Sequence, residues 1–232
     1  MEKPIIKSIL KFVIDVAIII CLFLALGEHF YNSMENYFID QINSLLGTSS
    51  ISPFTTKINI VAAVVCLIDI PYEIISLINR KETTYRGLLV SKYIVSASLM
   101  LTFFTVLFVI FPITCVYTES FVEGFKINYL NGNQFTHVII PLLFVLSFIF
   151  LDEKCEFNIK MAIFSAIPAS FYIIIYILLV YVLKTWDDIY FSKEAIKYIT
   201  VFGVLLLVFT LIGISFLFGL FLKRIKRKSQ NQ

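Results

Sequence analysis

Six long apolar blocks, at approximately 9–27, 57–79, 93–117, 136–151, 160–183 and 198–222, dominate this sequence and restrict its fold more than any other feature. About 20 apolar residues at helical rise match the thickness of the hydrocarbon layer of a bilayer. Backbone polar groups meet no water there, so each block must close its own hydrogen bonds as a helix. Composition agrees. Apolar residues make up 59% of the 232 and charged residues only 15%, against about 25% charged in a soluble domain. The expected fold is all-α: a polytopic integral membrane protein with six transmembrane helices in a single domain over 1–232.

The basic residues set the orientation. With six helices and both termini cytoplasmic, the inner segments carry 14 Lys and Arg, including Lys3, Lys7, Lys11, Arg80, Lys81, Arg86 and Lys92, and the outer segments carry 5. Positive residues concentrate on the cytoplasmic side, so N- and C-termini are expected inside, with the plasma membrane as the expected location. The run Lys223, Arg224, Lys226, Arg227, Lys228 directly follows an apolar block and reads as an anchor on anionic lipid. The excess of +3 is distributed over short loops, which argues against nucleic-acid binding. Membrane lipids are the expected partners. The basic, apolar N-terminus reads as a retained first helix rather than a signal peptide, because Asp15 interrupts it and five more blocks follow.

Cys21, Cys66, Cys115 and Cys155 are scattered and only two histidines occur, so no zinc-site spacing is present and no metal or cofactor is implied. Between the first two blocks, Tyr31, Met34, Phe38, Ile42 and Leu45 recur at helical spacing. They fit either a short helix in the interface plane or a polar loop with scattered hydrophobes. Pro71, Pro112, Pro141 and Pro168 fall inside blocks, and each removes a donor from the carbonyl four residues earlier.

Polar residues within the bilayer are costly and often functional. One group is Asp15, Asp69 and Glu73, with the last two on one helix face around Pro71. These acids have no evident intramembrane Lys or Arg partner. They read either as an ion or proton site of a transporter, or as structural acids bonded to hydroxyls and reached by Arg80 or Lys81. A second group opens two inward-running helices at the outer face: Phe54-Thr55-Thr56-Lys57-Ile58-Asn59 and Thr136-His137-Val138-Ile139-Ile140-Pro141. The topology gives Thr55 and His137 nearly the same depth. A threonine hydroxyl becomes a nucleophile when a neighbouring base takes its proton, and histidine is the usual base near neutral pH. Asn59, one turn from Thr55, or free helix N-terminal amides can stabilise an oxyanion. Pro141 leaves the carbonyl of His137 without its helical donor. The plainer alternative makes Thr55 or Thr56 a helix cap and His137 an interfacial histidine. In the last block, Ser215 and Gly219 are four apart, a spacing that permits close helix packing, either within the bundle or in a scaffold that binds a partner.

The Phe-Thr-x-x-x-Asn patch at Phe54–Asn59 and the His-x-x-x-Pro patch at His137–Pro141, with Thr55 and His137 separated by 82 positions, resemble the androgen-induced and androgen-dependent membrane hydrolases and their bacterial six-helix relatives. That resemblance implies a multipass threonine hydrolase cleaving esters that join a fatty acid to a hydroxy fatty acid. It makes Thr55 the nucleophile, although the adjacent Thr56 shifts the assignment by only one position, and His137 its base. Outside these patches only helix count and length are similar.

Overall fold

The computed structural model describes residues 3–34, 54–81, 83, 85–130, 132–152, 159–184 and 212–225. These residues are helical apart from their connections. Helix α1 spans Lys3–Met34 and α2 spans Phe54–Asn79. Helix α3 (Arg86–Thr105) passes through a π-helical turn, Val106–Ile110, into α4 (Phe111–Tyr117). Helix α5 spans Phe121–Tyr129, a second π turn covers Phe135–Ile139, and α6 spans Ile140–Phe150. Helices α7 (Ile159–Phe164) and α8 (Ile167–Ile177) meet at a short break, with a third π turn at Leu178–Val182. Helix α9 covers 212–225.

Among the described residues, four stretches are long and apolar enough to cross a bilayer: Ile5–Gly27, Phe54–Asn79, Arg86–Phe108 and Lys160–Ile177; Phe135–Phe150 is apolar and shorter. The first part of the last apolar block, and Phe38, Ile42 and Leu45 of the expected interfacial segment, lie outside the described residues. Tyr31 and Met34 belong to α1 itself. Large apolar side chains such as Phe23, Ile78 and Phe150 point outward, as lipid-facing residues do. The core is built from Ile18, Ala62, Cys66, Tyr93, Leu99, Ile140, Phe144 and Phe148.

The prolines are accommodated in three ways. Pro71 sits within α2 on its exposed face. Pro112 and Pro141 each follow a π turn, where hydrogen bonds reach five residues on instead of four. Pro168 stands in the first turn of α8, where a missing N–H costs little.

The sequence gives no apolar block at 121–129, yet α5 forms there. Its start is signalled locally: the Ser120 hydroxyl accepts a hydrogen bond from the amide of Glu123 at 3.3 Å, the N-cap arrangement. Gly124 of α5 lies so close to Cys115 of α4 that an added Cβ would stand 2.5 Å from Sγ.

Helix α9 is joined to the bundle by small polar residues. The Ser215 hydroxyl donates to the Ser165 carbonyl at 2.9 Å, and the Ser165 hydroxyl donates to the Ala162 carbonyl at 2.6 Å with the Ser215 carbonyl 3.3 Å away. The Tyr93 hydroxyl donates to the carbonyl of Gly219 at 2.6 Å. The Ser215–Gly219 face therefore packs inward, against α3 and the α7–α8 break. A Cβ at Gly219 would meet the Ser165 hydroxyl and stand 2.9 Å from the Tyr93 oxygen. Gly219→Val is accordingly expected to destabilise the bundle by about 1–3 kcal/mol through overpacking, which thermal unfolding of the detergent-solubilised protein would reveal as a lowered midpoint.

Candidate functional site

Thr55 and Thr56 lie in the first turn of α2, both buried. Phe54 is already helical, so neither threonine occupies a cap position before the helix. Asn59 follows one turn later and is fully buried. Its amide nitrogen donates to the Thr55 carbonyl at 2.7 Å and to the Thr136 carbonyl at 2.9 Å.

The second bond follows from the π turn. The amide of Ile140 donates to the Phe135 carbonyl, five residues back. The next carbonyl, of Thr136, would need the amide of residue 141, and Pro141 has none. The carbonyl left over is thus that of Thr136. The sequence points only to the neighbouring carbonyl of His137, which Pro141 likewise cannot serve, because it gives no sign of the π register. Asn59 supplies the missing donor from another helix, since a buried carbonyl left unpaired is costly. Both amide hydrogens of Asn59 are committed to carbonyls. Its role is to strap the Thr55 turn to the Thr136–His137 turn, and an oxyanion would have to draw on other donors.

His137 is half-buried. Its Nδ1 is 2.8 Å from the backbone carbonyl of Asn128. A carbonyl only accepts, so Nδ1 carries the hydrogen, and in the neutral ring Nε2 is the basic nitrogen. Asn128, buried in α5, is held in turn by its side chain donating to the Gly124 carbonyl at 2.8 Å. No pattern in the sequence marks Asn128 for this role, because the ring is held by a main-chain group on an unforeseen helix. On the other side of α2, the Phe54 ring packs on Tyr172 of α8 at 5.1 Å, Tyr176 continues the aromatic wall, and the Lys57 ammonium lies 5.3 Å from the centre of the Tyr172 ring.

Asp15, Asp69 and Glu73 converge about 21 Å away, the rise of the 14 residues of α2 between Thr55 and Asp69. Asp69 and Glu73 do not lack basic partners. Lys11 of α1 pairs with Glu73, with Asp152 at 3.0 Å and with Asp69 at 3.8 Å. Lys92 of α3 pairs with Asp69, and with Asp152 at 3.0 Å. The expectation of unpartnered acids is thereby overturned for Asp69 and Glu73, and so is the suggestion that Arg80 or Lys81 reach them, since both are exposed beyond α2. Lys11 and Lys92 were counted as loop charges. Lys11 stands near the start of the first block and Lys92 just before the third, and helices α1 and α3 enclose them. Burial pushes the Asp152 carboxyl up, but the Lys92 and Lys11 ammoniums outweigh it and hold the group below the ordinary carboxylate range. Its contribution is therefore present at neutral pH and is lost as the pH falls through that depressed value.

No protein family model, curated protein sequence or solved structure matches this chain.

Two predictions separate these ends. Asn59→Asp replaces two donors by a carboxylate facing two carbonyls; a loss of at least about 2 kcal/mol is expected, shrinking at low pH as the acid regains a proton. Chemical denaturation in micelles at several pH values measures it. Lys92→Met strands buried carboxylates and should cost about 3–5 kcal/mol. Lys126→Met, in a pair whose side chains are 50% and 52% exposed, should cost about 1 kcal/mol at most. Equal unfolding midpoints for these two variants would contradict the ranking.

Proposed function

We propose that this chain is a membrane-embedded hydrolase of lipid esters, with Thr55 as nucleophile and His137 as its base. The anchoring of the His137 ring on the Asn128 carbonyl carries the reading. A base oriented by a third group is what activation of a hydroxyl requires, and Asn59 straps the turn bearing His137 to the turn bearing Thr55. The aromatic wall of Phe54, Tyr172 and Tyr176 offers an acyl chain an apolar surface. In the proposed topology six spans cross the plasma membrane with both termini cytoplasmic, which puts this site at the outer face, at the depth of a lipid ester.

The Thr55 hydroxyl attacks the acyl carbonyl while Nε2 of His137 takes its proton. The intermediate collapses, the leaving alcohol receives that proton, and an acyl-threonine remains. Water activated by His137 then releases the fatty acid and restores the hydroxyl. The chemistry needs no metal or organic cofactor. A transporter working through Asp15, Asp69 and Glu73 is less well supported, because Lys11 and Lys92 lie between the acids. A scaffold role for Ser215 and Gly219 is less well supported too, because both face into the bundle.

Labelling of the purified protein with a fluorophosphonate probe tests the assignment. Wild type should label, Thr55→Ala and His137→Ala should lose at least about 100-fold in labelling rate, and Thr56→Ala should retain it. Undiminished labelling of either the Thr55 or the His137 variant defeats the proposal.

A further inference from the structure

The lysine–carboxylate cluster contains more acid than base. Among the described residues Lys11 and Lys92 are the bases at ion-pair distance from Asp69, Glu73 and Asp152, and neither these five residues nor Asp15 is more than 4% exposed. The groups come from every helix that borders the cluster: Lys11 and Asp15 on α1, Cys66, Asp69 and Glu73 on α2, Lys92 on α3, and Asp152 just after α6. Fully ionised, these six groups would carry more negative than positive charge away from water, an arrangement that proteins ease by neutralising a group.

The ammoniums are not shared equally. Lys11 engages Glu73 and Asp152, and Lys92 engages Asp69 and Asp152. Glu73 is also within hydrogen-bonding reach of Ser8. Among the described residues no ammonium stands at ion-pair distance from Asp15. Its neighbours are the Asp69 carboxyl and the Cys66 thiol, both within hydrogen-bonding reach. Asp15 Oδ2 and Asp69 Oδ1 are buried and have no hydrogen-bond partner among the described residues. Two carboxylates only accept; a hydrogen bond between them requires a proton on one. The donor set does not suit a metal, since among the described residues no three His, Cys, Asp or Glu side chains converge to hold one.

We infer that Asp15 and Asp69 share one proton, making a buried proton-binding site at the junction of α1, α2 and α3. The shared proton lets the pair carry a single negative charge, which Lys92 meets. It also assigns unequal roles to the acids. Asp152, between two ammoniums, is an ionised anchor. Asp15 is the neutral partner, and asparagine is its near-isostere, able to donate one hydrogen bond to Asp69.

Infrared spectroscopy of the full chain in lipid nanodiscs tests this. At neutral pH the wild type should show the carbonyl stretch of a protonated carboxylic acid, shifted on transfer to D2O. Asp15→Asn should abolish that band and leave the thermal unfolding midpoint close to that of wild type, whereas Lys92→Met should lower it steeply. The inference is overturned if the wild type lacks the band, if Asp15→Asn retains it, or if Asp15→Asn unfolds as readily as Lys92→Met or fails to fold. It is also overturned if the band is present only after sodium and calcium are removed, since a cation would then be the native occupant.

Discussion

Two buried lysines hold one end of this bundle together. Lys11 and Lys92 reach from α1 and α3 to carboxylates on α2 and just beyond α6. For these side chains to meet, the early part of α1, the late part of α2, the early part of α3 and the end of α6 must lie at the same level. That condition fixes the alternating direction of the helices. It also fixes their rotation, because each must turn its charged face inward. Apolar packing alone specifies rotation poorly in a segment that is hydrophobic on every side. A hydrogen-bonded charge network distinguishes correct from incorrect rotation, since any misalignment leaves a buried charge without a partner.

The opposite end is organised by a shortage of donors rather than by charge. A proline and the π turn before it leave one main-chain carbonyl unsatisfied, and an asparagine from α2 satisfies it. The same amide also binds the carbonyl one turn back in its own helix. A defect in one helix thereby becomes a specific junction with another, and a threonine and a histidine are carried on the two joined turns. The ring of that histidine is fixed by a third element, α5. The end proposed for chemistry is thus assembled from α2 and, far along the chain, α5 and the π turn that follows it. The charged end, about 21 Å away along α2, keeps those elements from sliding.

Part of this organisation is written in the sequence and part is not. The long apolar blocks, the importance of Asp15, Asp69 and Glu73, and the shared level of Thr55 and His137 follow from length, burial cost and helix alternation. The partners of the acids do not. Lys11 and Lys92 sit at the margins of apolar blocks, where a count of charges assigns them to loops, and Asp152 lies in a polar connection with no mark of its importance. The role of Asn128 is equally hidden, because the group that holds His137 is a carbonyl that every residue possesses. The freeing of the Thr136 carbonyl is hidden too, because a π turn shifts the hydrogen-bond register and nothing in the sequence announces it.

The sequence by itself determined that the chain is all-helical and built for a membrane, since an apolar run of this length leaves its backbone no other way to satisfy its hydrogen bonds. It also determined which side chains would be expensive to bury. Tertiary structure alone decided how that expense is met: which lysine neutralises which carboxylate, which amide completes which carbonyl, and which ring nitrogen of His137 is left basic. Those outcomes depend on helix rotation and on register changes of a single residue, and the lysine–carboxylate and amide–carbonyl pairings join segments far apart in the chain.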